Sequence, residues 1–168
     1  MRVAGPLPDL LRQAFDGPEA PEPDATLVVA VSGGRDSVAL LHLLRFTPGL
    51  PPVGLIAAHL DHAMRPGSAG DADWVRGLCR AWGVPCRTRR LDVAPGDEAA
   101  ARRARYLFLE EVREGERAAR VLTAHHADDQ AETVLFRVLR GTGVRGLQGL
   151  PRRREPGIWR PRLVAARA

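Results

Sequence analysis

Short apolar runs alternate along the chain with longer stretches in which apolar residues recur at helical spacing. The short runs predict strands near residues 26–31, 53–58, 84–91 and 120–124, with a weaker one near 158–163. The longer stretches predict helices near residues 37–46, 69–82, 97–114 and 128–140. An apolar strand such as Val53–Ala58 is typical of a parallel sheet covered on both faces. The pattern therefore predicts an α/β fold: a doubly wound, mainly parallel sheet with helices on both faces.

The first residues of the chain have a different pattern. Residues 5–16 predict a short helix, and the proline-rich segment Gly17–Asp24 cannot continue it. We therefore expect two parts, an N-terminal helix with its connector over residues 1–24 and the α/β domain over residues 25–168.

Composition narrows the classes of function. The 168 residues carry a formal charge of +5 and a pI near 10.7, which favours a polyanionic partner. All 25 basic residues are arginine, so no lysine side chain of the protein serves as a nucleophile. Cys79 and Cys86 have neither a Cys-x-x-Cys nor a zinc-ribbon spacing and predict buried, reduced thiols. Because we find no apolar leader and no apolar run of about 20 residues, we expect a cytoplasmic protein that does not contact a membrane.

The most informative segment is Ser32–Ser37, which reads Ser-Gly-Gly-Arg-Asp-Ser and joins a predicted strand to a predicted helix. Its two glycines let an anion approach the backbone, where the N–H groups at the start of the helix face it. Ser32 and Ser37 offer hydroxyl donors, and Asp36 offers a carboxylate to Mg²⁺. The segment lacks the lysine of a Walker A loop and the spaced glycines of a dinucleotide loop. The alternative is an ordinary turn in which serine or aspartate caps the helix.

Two further polar clusters follow predicted strands, and ligands of parallel sheets bind beyond the carboxyl ends of the strands. The first cluster, His59–Arg65, contains His-x-Asp-His, which is part of a metallohydrolase pattern. That pattern needs a histidine two residues before His59, where Ala57 stands. The alternative is a polar loop in which His59 forms a hydrogen bond with the backbone.

The second cluster, His125–Thr133, combines two histidines with Asp128, Asp129 and Glu132. Asp129 and Glu132 have the spacing of a capping box at the start of a helix. A cap needs only one carboxylate and its partner, whereas three carboxylates suit Mg²⁺ or a cationic substrate. The residue types favour a functional site and leave the helix cap as the alternative.

Arginines recur on one face of the predicted helix at 97–114. Glu98, Arg102 and Arg105 share this face, which predicts either a solvated ion pair or guanidinium groups that hold phosphates. Further along the chain, the four glycines within Arg140–Leu150 predict a mobile loop of the kind that gates substrate entry.

Taken in order, these segments are similar to the N-terminal catalytic domain of the bacterial tRNA(Ile)-lysidine synthase family. Ser32–Ser37 resembles the pyrophosphate loop of the N-type ATP pyrophosphatases, and the segment around His59 is shared with tRNA-thiolating relatives. More specific to the family are Ala-Arg-Arg-Ala-Arg-Tyr at 101–106 and the segment at 124–133 leading to Arg-Gly-Thr-Gly at 140–143. The similarity extends from about Leu27 to Leu163.

The resemblance implies a ligase. Members of this family transfer AMP from ATP to O2 of the wobble cytidine in the CAU anticodon of tRNA(Ile), and pyrophosphate is released. The ε-amine of free L-lysine then attacks C2 and displaces AMP, which yields lysidine. We therefore expect ATP, Mg²⁺, lysine and tRNA(Ile) as the molecules that the protein binds.

The resemblance also implies roles for residues of this sequence. The ATP site comprises Ser32, Gly33, Gly34, Arg35, Asp36, Ser37, His59 and Arg102, with Asp36 also holding Mg²⁺. The catalytic set comprises Asp36, Arg105, His125, Asp129 and Glu132. Arg105, with help from Arg102, stabilises charge at the α-phosphate. Asp129 and Glu132 hold or deprotonate the lysine ammonium, and His125 orients the reacting groups.

The sequence departs from the family pattern near its end. Arg162 stands where the family's closing Arg-Pro-Leu-Leu has an apolar residue, and the chain stops soon afterwards, so we expect a domain truncated at its C-terminal end. A tRNA-thiolating enzyme of the same fold and a non-catalytic ATP-binding module are the alternatives. The first relies on a cysteine pair that the spacing of Cys79 and Cys86 does not supply. The second has no use for the acidic cluster or for Arg105.

Overall fold

The computed structural model describes residues 7–61, 68–91, 98–124, 153–154 and 158–159. Its elements follow in the order α1 (Leu7–Phe15), β1 (Thr26–Ala30), α2 (Arg35–Phe46), β2 (Gly54–Asp61), α3 (Ser68–Ala81), β3 (Cys86–Arg90), α4 (Glu98–Gly115), β4 (Arg120–Thr123), β5 (Arg153–Arg154) and β6 (Ile158–Trp159). The helix predicted near 128–140 lies outside the described residues. No helix in the described part of the chain combines the length and the hydropathy needed to cross a membrane.

The strands form one sheet in the order β3-β2-β1-β4-β6-β5. All neighbouring pairs are parallel except β5 and β6, which are antiparallel. From β1 the chain moves outwards through β2 to β3 and then returns to place β4 on the other side of β1. The strand order therefore reverses between β1 and β4, and a doubly wound sheet binds its ligands beyond the carboxyl ends of the strands at such a point. This topology confirms the predicted fold class.

Alternating side chains of β1 enter two separate hydrophobic cores. Leu27 and Val29 face the side of the sheet covered by α1, α2 and α3. Val28 and Ala30 face α4 on the opposite side. Helix α1 packs into the first core through Leu11. The division of the chain at residues 24 and 25 stays a prediction.

The main difference between prediction and structure lies at the end of β2. This strand was predicted to end at residue 58, and it continues to Asp61. The extension is paired with β3, from Ala58 opposite Arg87 to Asp61 opposite Arg90. His59 and Asp61 are therefore buried strand residues, and the prediction that a polar loop begins at His59 was wrong. The backbone of this extension is paired with β3, whereas the pairing of β2 with β1 ends at Ala58.

Smaller differences concern element ends. Helix α2 begins at Arg35, two residues earlier than predicted, with Gly34 at its N-cap and no side-chain cap hydrogen bond. Strand β3 begins at Cys86, and the weak strand predicted near 158–163 is present as the two residues of β6. Strand β5 was not predicted, because its two arginines lack any apolar periodicity.

Candidate functional site

The loop between β1 and α2 is shaped by one glycine. Gly33 has a φ of +86°, a left-handed conformation that glycine adopts without the steric cost other residues incur. A Cβ atom at this position would lie 3.8 Å from Cγ2 of Val75, which is ordinary contact. The backbone conformation, and not crowding by α3, is therefore what requires glycine at position 33.

The serine hydroxyls at both ends of the loop are hydrogen-bonded to one another and to the backbone. Ser37 Oγ donates to the carbonyl oxygen of Gly34 at 2.9 Å and accepts the N–H of Ser32 at 3.1 Å. The two hydroxyl oxygens lie 3.1 Å apart. Because the Ser37 proton goes to Gly34, Ser32 is the donor in this pair, and Ser32 Oγ in turn accepts the N–H of Gly34 at 3.3 Å. Both hydroxyl protons are thus used to hold the loop in shape.

The backbone at the start of α2 therefore supplies the donors for an anion. The first N–H groups of a helix have no intrahelical acceptor, and Gly34 has no side chain to cap them. The first helical hydrogen bond runs from Val38 N–H to Gly34 O at 3.1 Å. The helix dipole adds partial positive charge at this end. This geometry suits a phosphate and differs from the serine or aspartate cap that was the alternative.

Arg35 and Asp36 extend from this first turn. The side chain of Arg35 is 80% exposed and that of Asp36 is 36% exposed, with Nε and Oδ1 3.7 Å apart. In the described part of the chain, no three His, Cys, Asp or Glu side chains come together as a metal site. Mg²⁺ commonly uses one or two carboxylates and completes its coordination with substrate phosphates and water. A single carboxylate beside a phosphate loop fits that mode of binding.

On the other face of the sheet, Arg105 of α4 lies beside the phosphate loop. A small depression there is lined by Ala30, Val31, Ser32, Ala58, Leu60, Arg105 and Leu109. The structure thus brings Arg105 and the first loop residue to one depression, near the carboxyl ends of β1 and β2. The apolar lining was not singled out in the sequence. The signal was present as two small residues on neighbouring strands, Ala30 at the end of β1 and Ala58 within β2.

Arg102, one turn earlier on α4, has a different environment. Its guanidinium carbon lies 5.3 Å from the ring centroid of Tyr106, and its Nη2 donates to the Tyr106 hydroxyl at 3.3 Å. The side chain is exposed and does not line the depression that contains Arg105. The two arginines predicted to act together are therefore separated in this structure.

His59 supports the loop from β2. Its side chain is 3% exposed, and Nδ1 lies 2.8 Å from the carbonyl oxygen of Val31, so Nδ1 carries the hydrogen. Val31 immediately precedes the phosphate loop. Nε2 of His59 is buried and has no hydrogen-bond partner in the described part of the chain. The backbone hydrogen bond considered as an alternative in the sequence is thus present.

The buried polar side chains in the described part of the chain cluster at one edge of the sheet. They are Ser37, His59, Asp61 and Thr123, each at the carboxyl end of a strand or in the first turn of α2. Thr123 ends β4, one residue before Ala124, and it is paired with Ala30 of β1. His125, Asp129 and Glu132 follow in the sequence and lie outside the described residues.

Comparison with known proteins identifies relatives of this chain. A family profile described as a PP-loop domain matches residues 9–168. The tRNA(Ile)-lysidine synthase of Gloeobacter violaceus is 45% identical over 150 residues, covering 87% of this chain and 46% of the relative. The enzyme of the same name from Novosphingobium aromaticivorans is 42% identical over 134 residues, covering 79% of this chain and 40% of the relative. The chain therefore spans less than half the length of these curated relatives.

A solved structure has the same fold at low sequence identity. The U34-tRNA thiolase NcsA from Methanococcus maripaludis, with its [4Fe-4S] cluster, matches with a TM-score of 0.74 and 18% identity. The match covers 94% of this chain and 58% of the thiolase. At this identity the comparison supports the fold alone.

Proposed function

Because the chain belongs to the PP-loop domain family, we propose that it is the catalytic domain of a tRNA(Ile)-lysidine synthase. The observation that carries the proposal is the cavity shared by Arg105 and Ser32 at the phosphate loop. A second support is the 42–45% identity to relatives of that name. In the proposed reaction, O2 of the wobble cytidine in tRNA(Ile) attacks the α-phosphate of ATP and pyrophosphate leaves. The ε-amine of lysine then attacks C2, and AMP leaves with the electrons of the C2–O2 bond.

The first step uses groups on both faces of the sheet, at the carboxyl end of β1. The N–H groups of the first turn of α2 bind the phosphates that leave as pyrophosphate. Arg105 approaches from α4 and stabilises the negative charge that develops around the α-phosphate. Asp36 would hold a Mg²⁺ ion, which would neutralise part of the phosphate charge. Ser37 and His59 act indirectly, because their hydrogen bonds hold the loop and the backbone that precedes it.

The second step requires recognition of a cationic amino acid. Asp129 and Glu132 bind the lysine ammonium and accept its proton, and His125 orients the reacting groups. The proposal for these residues rests on their carboxylate and imidazole chemistry and on their place in the sequence directly after β4. Strand β4, which precedes these residues in the sequence, adjoins β1, whose carboxyl end leads into the phosphate loop.

The position of the cysteines argues against the alternative of a tRNA-thiolating enzyme. The sequence contains two cysteines, and the structure describes both. Cys79 is buried in the last turns of α3, and Cys86 begins β3 at the amino end of the strand. The phosphate loop lies at the carboxyl end of the sheet, so neither thiol is near the reacting phosphate. A non-catalytic module has no need for an arginine beside Ser32.

The proposal is tested by incubating the chain with ATP, Mg²⁺, L-lysine and a tRNA(Ile) transcript that carries a CAU anticodon. Digestion of the recovered tRNA and mass analysis of its nucleosides should reveal lysidine in place of the wobble cytidine. A transcript with uridine at the wobble position is the matched control and should remain unmodified. Tight ATP binding with no change in the RNA would support the non-catalytic module instead, and thiolated nucleoside formed when a sulfide donor replaces lysine would support the thiolating enzyme.

A further inference from the structure

The two cysteines of this chain lie against one another where α3 joins β3, away from the proposed active site. Both are free thiols, with Cys79 fully buried and Cys86 partly exposed. The two side chains lie close enough for each to shift the pKa of the other, upwards for Cys79 and downwards for Cys86. Cys86 also packs against the hydrophobic core to which Cys79 belongs. The proposed ligase reaction uses neither thiol.

The turn after α3 explains why a spacing of seven residues brings the thiols together. Gly83 has a φ of +65°, and its N–H donates to the carbonyl of Arg80 at 3.2 Å. The N–H of Val84 donates to the carbonyl of Cys79 at 2.9 Å. These two hydrogen bonds form a Schellman motif, which reverses the chain directly after the helix. Val84 and Cys86 are two residues apart in extended chain and so face the same side, towards Cys79.

The two thiols differ in chemical character. A hydrogen bond from the Cys79 thiol lowers the pKa of Cys86, and the charges of Arg76 and Arg87 lower it further against the opposing effect of burial. The same hydrogen bond and burial raise the pKa of Cys79. The thiolate is the reactive form of cysteine. Cys86 is therefore the nucleophile of the pair, and it is also the thiol that solvent reaches.

The cations near Cys86 are fixed by their own contacts. Nη1 of Arg76 donates to Oγ1 of Thr88 at 3.1 Å, two residues beyond Cys86 on β3, and Nη2 pairs with Asp73. Nε of Arg87 lies 2.6 Å from Oε1 of Glu116. Each arginine thus has a carboxylate partner that partly neutralises its charge and orders its side chain beside the strand.

We propose that Cys79 and Cys86 form a redox-active thiol pair that a hydroperoxide converts to an intramolecular disulfide. The Cys86 thiolate attacks the O–O bond, which releases an alcohol, or water from hydrogen peroxide, and leaves a sulfenic acid on Cys86. The sulfur of Cys79 then attacks the sulfur of Cys86, and the sulfenic oxygen leaves as water. Two electrons and two protons pass from the thiols to one peroxide in total.

This chemistry is separate from ATP binding. Cys86 is the first residue of β3, so it lies about 13 Å along the strand from the carboxyl edge of the sheet, at four steps of about 3.3 Å. The disulfide joins the end of α3 to the start of β3 and does not involve the phosphate loop. The oxidised chain should therefore bind ATP with unchanged affinity and melt at a higher temperature than the reduced chain.

Peptide mapping of the whole chain after treatment with hydrogen peroxide tests the proposal. Trypsin cuts after Arg76, Arg80 and Arg87, so the disulfide would join the peptides 77–80 and 81–87. We expect this linked pair, a mass loss of about 2 Da in the intact chain, and oxidation about tenfold or more faster than in the urea-unfolded chain. Peroxide products on Cys86 without the link, disulfides between chains, or equal rates in the folded and unfolded chains would overturn the proposal.

Two single variants assign the roles of the thiols. In Cys79→Ser, the sulfenic acid on Cys86 should persist and react with dimedone. In Cys86→Ser, Cys79 should remain unlabelled under the same conditions, because it is buried. Labelling of Cys79 at the rate seen for Cys86 would contradict the assignment. Circular dichroism and ATP binding establish that each variant is folded, and the mapping of the unmodified chain does not depend on either variant.

Discussion

His59 on β2 holds the carbonyl of Val31, with Nδ1 at 2.8 Å from the oxygen, at the last position before the phosphate loop. The histidine is 3% exposed, so this hydrogen bond is shielded from water. The contact joins the central strand to its neighbour where the chain leaves the sheet. This hydrogen bond explains why the polar side chain of His59 is buried in β2, where the residues before it are apolar.

Variants of His59 separate this positioning role from general packing. His59→Ala should lower the free energy of unfolding by about 1–3 kcal/mol, because a buried carbonyl loses its donor, and should weaken ATP binding. His59→Asn carries a donor near the position of Nδ1 and should recover most of the ATP affinity, whereas the longer amide of His59→Gln should not. Urea unfolding and ATP titration measure both effects. Equal ATP affinity in the alanine and asparagine variants would show that the ring acts only by filling space.

The backbone conformation of Gly33 gives a second prediction. Gly33→Ala should cost roughly 1–2 kcal/mol of stability, because the residue has a φ of +86°. The relaxed loop should also bind ATP more weakly. Gly77→Ala is the matched control: this glycine lies within α3 with open space around it, so the change should stabilise the chain by about 0.5–1 kcal/mol. Normal ATP binding by Gly33→Ala would mean that the phosphates do not depend on this turn.

The elements that the sequence predicted well are those with strong periodicity. The apolar run at β1 clearly predicts a strand, and the spacing of apolar residues in α4 clearly predicts a helix. The sequence predicted that β2 ends three residues too early. His59 and Asp61 are polar and so resemble loop residues, and only their pairing with β3 shows that they belong to the strand. The candidate loop was recognisable from its order of strand, glycines and helix. The hydroxyl pair of Ser32 and Ser37 was not, since it depends on atomic distances within the turn.

Arg105 and Arg102 provide a matched pair for the ATP site. Arg105→Gln should lower the rate of cytidine adenylation by about a hundredfold or more, because it removes a charge that stabilises the reacting phosphate. Arg102→Gln should lower it by no more than about fivefold, since the exposed Arg102 is held against Tyr106. Single-turnover assays at saturating ATP compare the two variants. Equal losses would show that Arg102 leaves Tyr106 and joins the site when ATP binds.

The acidic cluster gives a prediction that distinguishes substrate binding from helix capping. Asparagine caps a helix about as well as aspartate, so Asp129→Asn should be nearly neutral if Asp129 only caps. If Asp129 binds the lysine ammonium, the lysine KM should rise by about tenfold or more, the size of a lost charge-assisted hydrogen bond. Adenylation in the absence of lysine should persist. Lysine titration of lysidine formation by the variant decides between the two roles.

Transfer of the α-phosphate of ATP to RNA tests the central claim most directly. The chain is incubated with ATP labelled at the α-phosphate, Mg²⁺ and tRNA(Ile) with a CAU anticodon, first without lysine. The label should appear on the tRNA and then leave as AMP when lysine is added, whereas Asp36→Asn should transfer little label, because its amide removes the charge that holds Mg²⁺. Label that stays on the nucleotide as ADP, or that reaches a tRNA with wobble uridine equally well, would contradict the account.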